Sequence, residues 1–306
     1  MICCNYKKHF IPLVIVVLLC LGFAAAGCSQ EEESKDKNDE VSPDRRDIEL
    51  LYVNWECAVA STHVVGAILE DMGYDVEYRA VTQGGIEKLW SDLAEGQGDA
   101  MTTAWLPSTQ EEYFEKYEEQ VDKVAINFEP ALTGLVVPAY VEIESITEIN
   151  NHIERFQGQI IGIKPKAGVM KHAENAIEAY NLDIELTESS DAIMARTLNN
   201  AVTRLEWIVV TGWKPHWKFA EYDLKYLDDP QGVFPDEEDA EYIATVTRQG
   251  LKDDKPDAYF LLENFKWSAD DINEVMLLNQ QDMVDPRDAA RQWVDENQDK
   301  VEQWRP

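Results

Sequence analysis

The sequence predicts an α/β protein of two lobes, each a mainly parallel sheet flanked by helices. Three observations carry this. From Ile48 onward, short apolar runs alternate with helical patterns, as in parallel strands joined by helices. The alternation stops at Pro138 and restarts beyond it, which divides the chain in two. The length, 306 residues, suffices for two lobes with cores of their own.

A targeting segment precedes the lobes. Lys7 and Lys8 form a short basic region, Phe10 to Ala26 is a nearly continuous apolar run, and Ala25-Ala26-Gly27-Cys28 closes it. Small residues before a cleavage point suit a signal peptidase. A Cys directly after them resembles the lipobox of bacterial lipoproteins, which implies a signal peptide over residues 1–27 and a lipid on Cys28. That pattern prefers Leu where this chain has Ala25. An uncleaved spanning helix is the alternative, since the run approaches about 20 residues. Either reading places the remainder on the extracytoplasmic face of the cell membrane. Residues 28–47 are polar, charged and unable to bury a core, so they read as an acidic flexible tether.

The first lobe is assigned to residues 48–136 plus 236–306. Ile48–Val53 reads as a strand, Ala58–Met72 as a helix stopped by Gly73, Val76–Val81 as a strand, Gly85–Glu95 as a helix and Asp99–Trp105 as a strand. Ser108 and Glu111 have capping-box spacing and open a helix expected to run through Val121. A strand near Val124 and the run Leu135–Val137 follow. The second lobe, residues 137–235, begins with another capping box, Ser145 and Glu148. Ile160–Ile163 reads as a buried strand, Val169–Tyr180 and Asp191–Leu205 as helices, and Trp207–Val210 as a strand. Pro215 is expected in the first turn of the next helix. The chain beyond about Ala240 reads as mainly helical, with Ser268 and Asp285 as N-caps.

Composition narrows the function. Asp and Glu number 59 against 27 Lys and Arg, a formal net charge of −32. Such a surface repels nucleic acid and anionic lipid and tolerates high ionic strength, in a saline or alkaline habitat or simply as an acidic secreted protein. Cleavage before Cys28 leaves Cys57 as the one other cysteine, so no disulfide framework is expected and Cys57 reads as a small buried hydrophobe. His9, His63, His152, His172 and His216 lack metal-ligand spacing. No zinc-protease, nucleophile-elbow or P-loop motif occurs. Neither a metal nor a cofactor nor an enzymatic activity is expected.

Ligands of open α/β sheets bind beyond the carboxyl ends of the strands. Three tryptophans stand there: Trp55, Trp105 and Trp213. One Trp is usually a core residue; three at strand ends point to a box of rings. Aromatic faces attract a cation without needing N–H donors, which suits a quaternary ammonium group. The other six tryptophans read as packing residues. His216 follows Trp213 by one helical turn and could donate to a carboxylate, or simply cap its own helix. At Ala167-Gly168-Val169 a loop opens a helix, where free amides bind anions, although an ordinary turn is the simpler reading.

These features together resemble a family. Trp-Glu-x-Ala near the start, Gly-Asp with Trp-Leu-Pro further on, Gly-Val-Met opening a mid-chain helix, and Gly-Trp-x-Pro-His-Trp before a Leu-x-x-Leu-x-Asp-Pro segment are similar to the glycine betaine-binding proteins of osmoprotectant ABC importers. The resemblance spans about residues 48–304. It implies the periplasmic-binding-protein fold, with two lobes closing like a flytrap. It implies an aromatic prism of Trp55, Trp105 and Trp213 around the ammonium, with His216 and the amides of Gly168 and Val169 on the carboxylate. Glycine betaine, an ABC permease with its cytoplasmic ATPase, and the membrane through the lipid on Cys28 are the implied partners. Choline, carnitine, proline betaine, ectoine and proline are the alternative ligands. Choline has no carboxylate and would leave the carboxylate-binding groups unpaired, at about 1–3 kcal/mol each.

Overall fold

The computed structural model describes residues 46–82, 85–235, 240–281 and 283–306. The segment expected to be a signal peptide, Cys28, and all but the end of the expected tether lie outside the described residues. The first elements follow the sequence reading within a residue or two: β1 Asp47–Tyr52, α1 Glu56–Asp71, β2 Asp75–Ala80, α2 Gly85–Ala94 and β3 Ala100–Leu106. Gly73 stops α1 in the left-handed conformation that glycine alone adopts freely (φ 86°).

The next stretch departs from expectation. The helix α3 is only Glu111–Tyr117, and its N-cap is Gln110 rather than Ser108. The predicted capping box is absent: the Gln110 side chain instead accepts from the Trp90 indole at 2.9 Å, and the Ser108 hydroxyl meets His172 at 3.3 Å. Val121 does not end the helix but opens β4, one strand running Val121–Pro138. Its register shifts repeatedly against β9, and Pro130 has no N–H for the ladder. Bulges break the period-2 pattern, which is why the sequence reads as two fragments.

A 3-10 helix at Ile146–His152 carries the predicted Ser145–Glu148 capping box. Then follow β5 Gln159–Ile161, α4 Gly168–Ala179, β6 Glu185–Thr187, α5 Asp191–Arg204 and β7 Val209–Lys214. The last lies later than predicted, so Trp207 precedes the strand and Trp213 falls inside it. Pro215 stands ahead of α6 (Lys218–Glu221), not in its first turn. After β8 (Leu224–Tyr226) the expectation of helix from Ala240 is corrected by β9, Glu241–Arg248. Its Tyr-Ile-Ala-Thr-Val-Thr run is β-branched and buried on both faces, so no alternation betrays it. Helices α7 Leu251–Asp254, α8 Pro256–Asn264, α9 Ala269–Asn279, α10 Pro286–Glu296 and α11 Gln298–Val301 complete the chain. Ser268 and Asp285 cap α9 and α10 as predicted.

The strands form two sheets that share β4. The first has the order β2-β1-β3-β9-β4, the second β4-β7-β5-β6, with β8 also on β4. Pairs β1–β2, β1–β3, β5–β6 and β5–β7 are parallel, as the alternation predicts. The shared strand β4, with β9 in the first sheet and the short β8 in the second, adds antiparallel pairs. Helix α1 is buried along most of its length and packs against α9 and α10. That packing fixes where its N-terminus, beside Trp55, points.

Candidate functional site

The carboxyl ends of β1, β3, β5 and β7 converge on one cavity of about 290 Å3, lined by Trp55, Trp105, Thr109, Thr133, Ile163, Ala167, Gly168, Val169 and Trp213. Trp55 is the N-cap residue of α1 and is half-buried. Trp105 and Trp213, at 3 % and 4 % exposure, are the next-to-last residues of β3 and β7. All three predicted rings therefore meet, two of them from within strands rather than after them.

Gly168 and Val169 open α4, and their amides have no acceptor within the helix. No acidic side chain occupies the first turn of α4, so the positive end of its dipole is not neutralised locally. Gly168 lies directly against Thr109 on the opposite wall, leaving no room for a Cβ.

His216 is placed differently from the other predicted residues. It does not line the cavity. Its Nε2 lies 2.9 Å from Asp191 Oδ1 and donates to it, while Nδ1 accepts from the Lys218 N–H at 3.1 Å. The imidazole thus caps its own short helix and packs edge-on against Trp213, with ring centroids 5.0 Å apart. Trp213 is in a strand, so the helical spacing read between the two does not exist. Burial, reinforced by the Lys218 charge, pushes His216 down to about 4. The ring is therefore neutral at pH 7.

Sequence reasoning missed the cluster behind Trp213. Lys218 is fully buried, its Nζ lies 4.1 Å from the Trp213 ring centroid, and it has no hydrogen-bond partner among the described residues. Burial pushes its amine down to about 7 despite Asp191. Asp191 accepts from the Glu56 amide at 3.1 Å, joining the start of α5 to the start of α1 across the two sheets. Burial opposes the Asp191 charge, but His216, Lys218 and the Glu56 N–H hold its carboxyl below the usual range. Burial and Asp191 raise Glu56 to about 7. Cys57 is buried as predicted, and burial, with the Asp191 charge, pushes its thiol up to about 12. Only a Ser before an apolar helix hinted at Asp191. Thr109 and Thr133 carried no signal at all.

Residues 46–296 match the family described as the substrate binding domain of ABC-type glycine betaine transport systems. The chain belongs to this family. It is a family of substrate-binding domains rather than of enzymes. The glycine betaine/carnitine transport binding protein GbuC of Listeria monocytogenes is 48 % identical over 154 residues, 49 % of this chain and 50 % of that protein. The match thus spans about half the length of that relative. The lactococcal OpuAC structure, closed and complexed with glycine betaine, superposes with a TM-score of 0.78 at 37 % identity, covering 85 % of this chain and all of that one. A choline-binding protein in complex with choline gives 0.77 at 26 % identity, over 85 % of this chain and 91 % of its own. The two-lobed binding-protein fold expected from the sequence is therefore the fold of this chain.

Proposed function

We propose that the protein captures glycine betaine, or a closely related betaine, outside the cytoplasmic membrane and delivers it to an ABC permease driven by a cytoplasmic ATPase. The carrying observation is the convergence of three indole rings and one helix N-terminus on a single small cavity. Trp55, Trp105 and Trp213 surround the trimethylammonium group, at about 0.5–2 kcal/mol per ring. The Gly168 and Val169 amides take the carboxylate. Both ring nitrogens of His216 are engaged. It supports Trp213 from behind, and would meet the carboxylate itself only by exchanging Asp191 for the ligand.

The lobes are the first sheet with the C-terminal helices (48–136 and 236–306) and the second sheet with its helices (137–235). Trp55 and Trp105 come from one, Trp213 and Gly168 from the other, so a ligand between them favours the closed state by its differential affinity. Among the described residues no helix is long and apolar enough to cross a membrane; attachment is by the lipid on Cys28. Choline is the second reading, favoured by the choline-bound neighbour and opposed by the two α4 amides it would leave unpaired.

Calorimetric titration with glycine betaine, choline and proline tests this, alongside Trp213→Ala. Betaine binding that is lost in the variant, with choline much weaker, is the expected result. No heat with betaine at low or high salt overturns the assignment.

A further inference from the structure

Two threonines line the cavity, and their hydroxyls differ. Thr109 is fully engaged: Glu241 accepts from its amide at 2.5 Å and from its hydroxyl at 2.7 Å. Thr133 is 5 % exposed, and its Oγ1 has no hydrogen-bond partner among the described residues. A buried hydroxyl left unpaired is unfavourable, and Val would fill the same place in a strand without that defect. On a cavity wall, the hydroxyl is free to donate to a ligand.

Its position supports this. Thr133 on β4 lies directly opposite Trp213 on β7. Opposed residues of an antiparallel pair project from the same face, so Thr133 stands beside the indole wall. Gly168 and Val169, which open α4, line the same space. A hydroxyl donor on one wall and two amide donors on another suit an anion with several lone pairs, which a carboxylate offers. Thr211, two residues before Trp213, is an internal comparison. It is also buried with an unpartnered hydroxyl, yet it does not line the cavity.

We propose that Thr133 is a ligand-binding residue whose hydroxyl donates to the carboxylate of the bound zwitterion. This rests on the betaine reading above. The residue acts on the anionic end of the ligand and so separates betaines from choline.

The test is calorimetric titration of the full chain with glycine betaine and with choline, on wild type, Thr133→Val, Thr133→Ser, Thr133→Ala and Thr211→Val. Thr133→Val lowers betaine affinity by about tenfold or more, the worth of a hydrogen bond to a charged group. Thr133→Ser and Thr211→Val bind betaine as wild type does, and choline affinity is unchanged in every variant. A wild type that does not bind betaine sinks the ligand reading itself. A wild type that binds, with Thr133→Val unaffected, overturns the Thr133 proposal alone. Equal losses for betaine and choline overturn the carboxylate assignment. Should Thr133→Val fail to fold, the Ser and Ala variants decide: binding kept by Ser and lost by Ala supports the hydroxyl, and equal binding refutes it.

Discussion

An alanine at position 168 would carry its Cβ 2.5 Å from the Thr109 carbonyl oxygen and 3.0 Å from the Thr109 Cα, where ordinary contact begins at 3.4 Å. It would also overlap Thr109 Cγ2. The helix itself does not object: Gly168 has no left-handed backbone, and alanine is the better helix former. The obstacle lies wholly on the opposite wall, and Thr109 cannot step aside because Glu241 holds both its amide and its hydroxyl. The walls must therefore part by about 1.2 Å, the shortfall from 3.4 Å at Thr109 Cγ2, which lies 2.2 Å from the added Cβ. Overpacking of that order costs about 1–3 kcal/mol. The penalty falls only on the state in which α4 meets Thr109, so it appears in ligand affinity and not in the stability of an open protein. Gly168→Ala should weaken betaine binding by roughly five- to hundredfold, with the ligand-free melting temperature within about 2 °C of wild type. Calorimetry and thermal melts measure the two quantities separately. Unchanged affinity, or a fall in melting temperature without a fall in affinity, would refute the reasoning.

Three further outcomes follow from the buried charges. The unfolded chain keeps the Lys218 proton up to 10.5 while the folded protein releases it at about 7, so stability rises with pH between those values. Lys218→Met should abolish that rise; denaturant melts across pH check it, and a rise between about pH 7 and 10.5 that persists in the Met variant contradicts it. Glu56 works in the opposite sense, its carboxyl protonated up to about 7 when folded against 4.5 unfolded, so stability falls between those values and Glu56→Gln should flatten the fall in the same melts. At Asp99, burial works to raise the carboxyl, but Lys255, the Glu49 amide and Arg248 outweigh it and hold it low. The stability it contributes is present above 3.8 and lost as pH falls through its lowered value. Asp99→Asn should therefore cost about 3 kcal/mol at neutral pH and nothing in strong acid, and a cost independent of pH would count against the ion cluster.

The alternating first half and the three tryptophans that line the cavity were legible because each strand and helix there is short, unbroken and regularly patterned. Trp55, Trp105 and Trp213 could be chosen because strand ends are where such sheets bind ligands. What stayed hidden depended on contacts distant in sequence. β4 conceals itself behind its bulges, and β9 behind burial on both faces. Asp191 and Lys218 meet only because α5 and α6 fold behind Trp213, a juxtaposition no local pattern encodes. His216 shows the limit of spacing arguments. Its offset from Trp213 suggests one helical face, but β7 runs through Lys214, and the ring turns toward Asp191.

The proposed function requires that the three indoles read the methylation of an ammonium. The direct measurement is the affinity of the wild-type protein for glycine betaine, dimethylglycine, sarcosine and glycine, which keep the carboxylate and lose one methyl at a time. Affinity should fall steeply and stepwise along the series, because each N–H regained demands a hydrogen bond that three indole faces do not accept. Equal binding across the series, or tighter binding of glycine, would contradict it.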